Sequence, residues 1–383
     1  MAQGSGRPLE ELPVELVQAI LAAAPDIKTL EAAVMTGPCL YNAFKGAEEF
    51  IVRSVVLRQF DADLLHDVLA THASSKIQDW SIDQAEKFLT PYFAHDQHHF
   101  VDSMEWKLSQ ARSIGRFDGT VQYFVDHIVT KFLSTYTYWN DPQVVPPTKL
   151  ERNRISRSLY RFETFCNLYP FWKYALIYDT GKLYIDNFAP WENEQLVCVS
   201  ESLYEKFILP ELTLRKQILV LLDPKLRSKW PETIPQISSW IFQSYVESHL
   251  FRGLAHIRRF ALEKDTDLQQ IAQVIRVTRL DGMVFHSFIN DMTRLLGRKE
   301  TPNLDDFNPE DEEKYIPRPW FRDPDSGPED IWRWANQWNP REHFFAARNA
   351  QDLRSWLYVM WDRWRIDEMR VLNKSRPWPY GDR

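Results

Sequence analysis

A chain of 383 residues, 44% hydrophobic and 14% aromatic, has material for one large core or two moderate ones. Its net charge of −7 includes no dense basic block, which argues against a nucleic-acid partner, and no run of about 18 apolar residues is available to cross a membrane. The opening MAQGSGRPLEELP has no charged segment leading into an apolar one, and Cys39, Cys166 and Cys198 lie far apart without CxxC spacing. Neither a secretory leader, nor a disulfide framework, nor a zinc site is therefore expected, and the expected location is the cytoplasm or nucleus.

In chain order, the first pattern is LEELPVELVQAILAAAPDIKTLEAAVMTGPCLYNAF, residues 9–44. Leu16, Ile20 and Leu21 follow Leu12 and Pro13 at helical spacing, and Leu30, Val34 and Leu40 continue it after the turn signal APD, which predicts two or three short helices. Phe44, Phe50, Ile51, Val55 and Val56 predict a further helical face, and DADLLHDVLATHASS another short helix. A new pattern starts at WSIDQAEKFLTPYF, with Ser81 as the N-cap.

Three prolines within NDPQVVPPTKLERN interrupt any helix and predict an extended connection. A long helix follows, with Ile155, Leu159, Phe162 and Cys166 as its core stripe. Arg154, Arg157 and Arg161 fall opposite that stripe at i, i+3 and i+7. A solvated row is the ordinary reading, and an acidic-partner stripe that binds phosphate or acidic peptide bidentately is the functional one. A short hairpin fits residues 170–207 around Gly181.

Helical spacing returns at Leu250, Leu254, Ile257 and Ala261, and again from Phe285 to Leu296. Residues 301–330 hold ten acidic and three basic residues with six prolines, an excess equal to the net charge of the whole chain, and predict a long surface loop. DLRSWLYVMWDRWRIDEMRVL then places Trp356, Met360 and Trp364 on one helical face, and these tryptophans, with Trp332 and Trp334, are expected in the core.

The chemical motifs are sparse. Asp179-Thr180-Gly181 has no second copy to share a proton with, as an aspartic protease requires, and makes a good turn. His95, His98 and His99 are not spaced as a zincin pair. With no GxSxG, HExxH, dinucleotide loop or kinase signature, no enzyme, metal or cofactor is expected.

The opening residues carry a resemblance. LPVELVQAIL, IKTLEAAV and CLYNAF resemble an F-box, the helical module that docks the Skp-type adaptor of a cullin–RING ubiquitin ligase, with Leu12 and Pro13 at its Leu-Pro start. RISRSLYRFETFCNLYP, FAPWENEQLVCV and RSWLYVMWDR look like blocks of a family of filamentous-fungal proteins with an F-box-like N-terminus; this resemblance implies architecture and a fungal origin, and no activity. The expected protein is mainly α-helical. An F-box-like module (9–57) precedes a larger non-repeat helical domain (76–300), the acidic loop (301–330) and C-terminal helices packed on that domain (331–374). The resemblance implies a substrate adaptor that binds a Skp-type adaptor through Leu12, Pro13, Leu16, Ile20, Leu21 and Leu30, and captures an unknown protein with the rest. The alternative is an interaction or scaffold protein whose same leucines are its own core.

Overall fold

Ser81 and Thr148 stand at helix N-termini. Ser81 Oγ accepts from the Gln84 amide, and Thr148 forms a reciprocal capping box with Glu151, each side chain bonded to the other's backbone N–H at 3.1 and 2.8 Å. The computed structural model describes residues 9–77, 81–94, 99–139, 145–169, 183–185, 187–208, 249–262, 321–336, 350–370 and 372. The protein is mainly α-helical, and no described residue belongs to a strand.

Five helices open the chain: α1 (Val14–Ala22), α2 (Ile27–Val34), α3 (Pro38–Gly46), α4 (Glu48–Gln59) and α5 (Ala62–Ser74). Next come α6 (Ile82–Phe93), α7 (His99–Ser103), the long α8 (Leu108–Trp139) and α9 (Lys149–Leu168). The remaining described α-helices are α10 (Pro190–Leu203), which runs on into a π-helical turn (Tyr204–Ile208), α11 (Gly253–Leu262), α12 (Gly327–Asn336), α13 (Ala350–Ser355) and α14 (Arg363–Glu368). The hairpin expected within 170–207 is not seen where residues are described, since 183–185 and 190–203 are helical; Asp179 to Gly181 and the stripe from Phe285 to Leu296 lie outside the described residues.

Helix α9 is the centre of the fold, packed by α5, α8, α10 and α11. Its expected stripe is buried: Ile155, Leu159, Phe162 and Cys166 all belong to one apolar core that runs from Val17 to Ile366. The N-terminal helices share that core through α2 and α4 on α8, where Gly115 lies against Ile27, Glu48 accepts from the Leu108 amide, and Arg112 pairs with Glu31 at 2.9 Å.

The arginine row requires a correction. Arg154, Arg157 and Arg161 are buried, because α9 is covered on its polar face as well as its apolar one. Arg154, with no exposed side-chain surface, grips Asp323 bidentately at 2.6 and 2.8 Å and donates to Asp362 at 2.6 Å. Arg157 donates to Asp63 at 2.8 Å beneath the Phe321 ring, and Arg161 meets Glu192 and Asp67 at 3.2 and 3.5 Å. Burial and the adjacent Arg161 lower Arg157 to about 10, whereas Asp67 and Glu192 outweigh burial at Arg161 and raise it. The acidic partner of this row is thus the chain itself. Residues 321–326 of the acidic segment lie across α9 and its last four residues open α12, so this part of it is not a free surface loop.

The C-terminal run is also corrected. Instead of one helix, α13 stops at Ser355, Leu357 takes a left-handed conformation (φ 59°), a 3-10 turn spans Tyr358–Met360, and α14 begins at Arg363. The break brings Asp362 onto α9 and lets Trp361 stack on Phe132, centroids 3.6 Å apart. Trp332, Trp334 and Trp356 are core residues, as expected, and Trp361 is fully buried with them; Trp364, expected in the core, is only half-buried. Gly327 allows this region to close, since a Cβ there would lie 2.5 Å from the Trp361 carbonyl oxygen and 2.6 Å from the Arg363 nitrogen.

The capping box is tied into the same network, because Thr148 Oγ1 also donates to Asp362 Oδ2 at 2.7 Å. Thr148→Ala is expected to cost about 2 kcal/mol, the loss of an N-cap plus a buried carboxylate contact. Urea unfolding checks this as a lower midpoint at unchanged slope.

Candidate functional site

Pro13, at the N-cap of α1, has φ −54° and starts the helix at Val14. From there the apolar residues of α1 sweep an arc too wide for one contact. Val17 and Leu21 turn inward, while Leu16 and Ile20, one turn apart, remain 51% and 48% exposed, with Val14 also exposed. Leu12 is half-buried against the core and Pro13 is exposed.

Two residues expected on this face do not belong to it. Leu21 is 2% exposed and Leu30 fully buried, the latter in α2 with Ile27 and Val34 at the i−3 and i+4 positions. Other apolar residues of these helices are exposed as well. Tyr41 on α3 is exposed, as are Met35 beyond α2 and Phe50 and Leu57 on α4, whose inward residues are Ile51, Val52, Val55 and Val56. Phe50 was expected inside with Ile51; successive helical residues point about 100° apart, and only Ile51 meets the core.

These helices are held firmly beneath the exposed side chains. Asp26 caps α2 by accepting from the Thr29 amide at 2.7 Å. Gln18 on α1 donates to the Ala43 carbonyl on α3 at 3.1 Å. Arg58 on α4 donates to the carbonyls of Ala22 and Ala24 at 2.6 and 3.1 Å, placing a cation at the C-terminal end of α1. Helices α1, α3 and α4 are mutual neighbours, so most of these exposed residues sit on helices that pack together. Of eleven large apolar side chains exposed among the described residues, eight lie between Leu9 and Leu57, so the exposure is localised there.

That surface offers apolar packing. Among the described residues no three His, Cys, Asp or Glu side chains are grouped to hold a metal, and no helix is long and apolar enough to cross a membrane. His99 begins α7, while His95 and His98 lie outside the described residues. Cys166 and Cys198 are buried free thiols, pushed up by burial, and Cys39 is a half-buried one. The chain matches no known family, no curated protein and no solved structure.

Proposed function

We propose that residues 9–57 are a docking module for the Skp-type adaptor of a cullin–RING ubiquitin ligase, engaged through Leu12, Pro13, Leu16 and Ile20. The helical body behind it presents a protein for ubiquitination. On this reading the chain is an adaptor and no enzyme, needs no cofactor, and works in the cytoplasm or nucleus. The observation that supports it most is the concentration of exposed apolar side chains on the segment that resembles an F-box. Such a face gains about 1.5–3 kcal/mol for each large side chain that a partner helix buries fully.

A second reading rests on the core that the N-terminal helices share with α8, into which Leu21 and Leu30 are packed. Here the protein is an interaction or scaffold protein, and its N-terminal helices have no ligase role.

One experiment separates the two. Purified Skp-type adaptor is titrated against the wild-type chain and against Leu16→Asp plus Ile20→Asp, with thermal melts of both. The ligase reading expects wild-type binding, a loss of at least about tenfold in the double variant (about 1.4 kcal/mol), and nearly unchanged melting, since both positions are half exposed. Absence of wild-type binding, or unfolding of the variant, leaves the scaffold reading.

A further inference from the structure

A pocket of about 210 Å³ lies between α5, α8 and α9, away from the docking face and independent of its assignment. Ser75 and Ser113, both exposed, stand at its mouth, and Val68, Ile114 and Tyr160 are among its buried walls. Two half-buried polar groups in its lining, Glu163 and His72, are sparsely partnered. Glu163 accepts one hydrogen bond, from the Leu254 amide at 2.6 Å at the start of α11, and has no cation beside it among the described residues. His72 has a buried Nε2 with no hydrogen-bond partner.

Most donors around these groups are already committed. Thr71 Oγ1 donates to the Asp67 carbonyl at 2.7 Å, Ser75 Oγ to the His72 carbonyl at 2.8 Å, and Tyr160 OH to Asp118 at 2.9 Å. Asn167 spends its amide on Ser74 Oγ at 3.0 Å. Beside one remaining N–H of Asn167, the interior of the pocket offers acceptors next to the rings of Phe117 and Tyr160, whose centroids are 5.9 Å apart. Acceptors with aromatic faces are complementary to a cation that carries N–H groups.

We propose that this pocket binds a small primary amine as its ammonium ion, which donates to Glu163 and to His72 Nε2 while its alkyl part lies against Phe117 and Ile114. A neutral molecule leaves the Glu163 carboxylate without a counter-charge, and a quaternary ammonium has no N–H for either acceptor. Binding strengthens with pH. Burial pushes the Glu163 carboxyl up to about 7 against the Leu254 hydrogen bond, so it ionises across neutrality, and burial, then Lys76, lower His72 against a Gln110 hydrogen bond, which favours its neutral form. Cys166 from α9 and the Gly253–Leu254 backbone of α11 face Glu163, while His72 from α5 and Tyr160 from α9 share the pocket lining with it, Lys76 and Gln110 act on His72, and Asp118 of α8 is held by Tyr160.

The test is isothermal titration of the full chain with n-butylammonium chloride at pH 6 and pH 8, alongside 1-butanol and tetramethylammonium chloride. The expected result is saturable binding of n-butylammonium alone, several-fold tighter at pH 8. Glu163→Gln, whose amide oxygen still accepts from Leu254, is expected to weaken it at least about tenfold, the loss of a charge-assisted hydrogen bond. Ser113→Trp, which plugs the mouth from an exposed position, is expected to abolish it with the melting temperature unchanged. If Glu163→Gln fails to fold, Ser113→Trp decides alone. Absence of saturable heat, equal binding of 1-butanol, or binding that survives Ser113→Trp overturns the proposal.

Discussion

Arg154→Leu is expected to destabilise the protein by about 3–5 kcal/mol, the cost of stripping one partner from a buried ion pair. The guanidinium is fully buried and uses Nε and Nη2 on Asp323, and Nη1 on Asp362 and the Met360 carbonyl. Leucine returns no charge to Asp362, itself buried, and removes the anchor that holds residues 321–326 on α9. Lysine at this position keeps a charge but not the planar fork, so it is expected to recover only part of the loss. The measurement is the urea midpoint of each variant, with Asp323→Asn completing a double-mutant cycle. A coupling of about 0.5–3 kcal/mol is expected for groups in direct contact. Additive losses would show that the strap over α9 is held by something other than this pair.

Leu30→Ala is expected to cost about 2–5 kcal/mol, because its side chain is fully enclosed by the core and the cavity collapses only in part. Leu16→Ala, on the neighbouring helix, is expected to stay within about 0.5 kcal/mol, since half of that side chain already faces water. The two variants thus divide leucines that share one apolar pattern into those that hold the module together and those free to meet a partner. Thermal or urea unfolding of both checks the division. A Leu16→Ala cost equal to that of Leu30→Ala would place Leu16 inside and remove the docking face.

The buried polar groups of the C-terminal half extend the logic of Arg154. Arg365, buried against Glu151 at 2.7 Å, and Arg354, held by Glu194 and Glu201 at 2.6 and 2.9 Å, fasten the last helices to α9 and α10. Helix α10 is buried along its whole length although Glu192, Glu194 and Glu201 are on it, and each meets an arginine. Such pairs contribute less to net stability than apolar packing of the same volume, but breaking one is costly, so they restrict how these elements assemble.

Much of the helical architecture is legible locally. Ser81 and the Thr148–Glu151 box announce helix starts, Pro13 sets the entry to α1, and the stripe from Ile155 to Cys166 marks the buried side of α9. These signals need only residues within a turn or two of each other, where spacing in sequence is spacing in space. The candidate docking face was legible only in part. Periodicity shows that α1 is apolar over a wide arc, but whether Leu21 or Leu16 is covered depends on where α2, α3 and α4 come to rest.

The arginines of α9 mark the limit of sequence reasoning. A row of three basic residues on a helix is ordinarily solvated, and nothing near Arg154 in the chain indicates otherwise. Its carboxylate partners lie 169 and 208 residues further on, and burial of the charge is tolerable only once both have arrived. The amino-acid order by itself determined which segments coil and which of their residues prefer to leave water. Only the tertiary structure decided which apolar residues were left uncovered and which charges found partners, because both depend on contacts between segments that the chain keeps far apart.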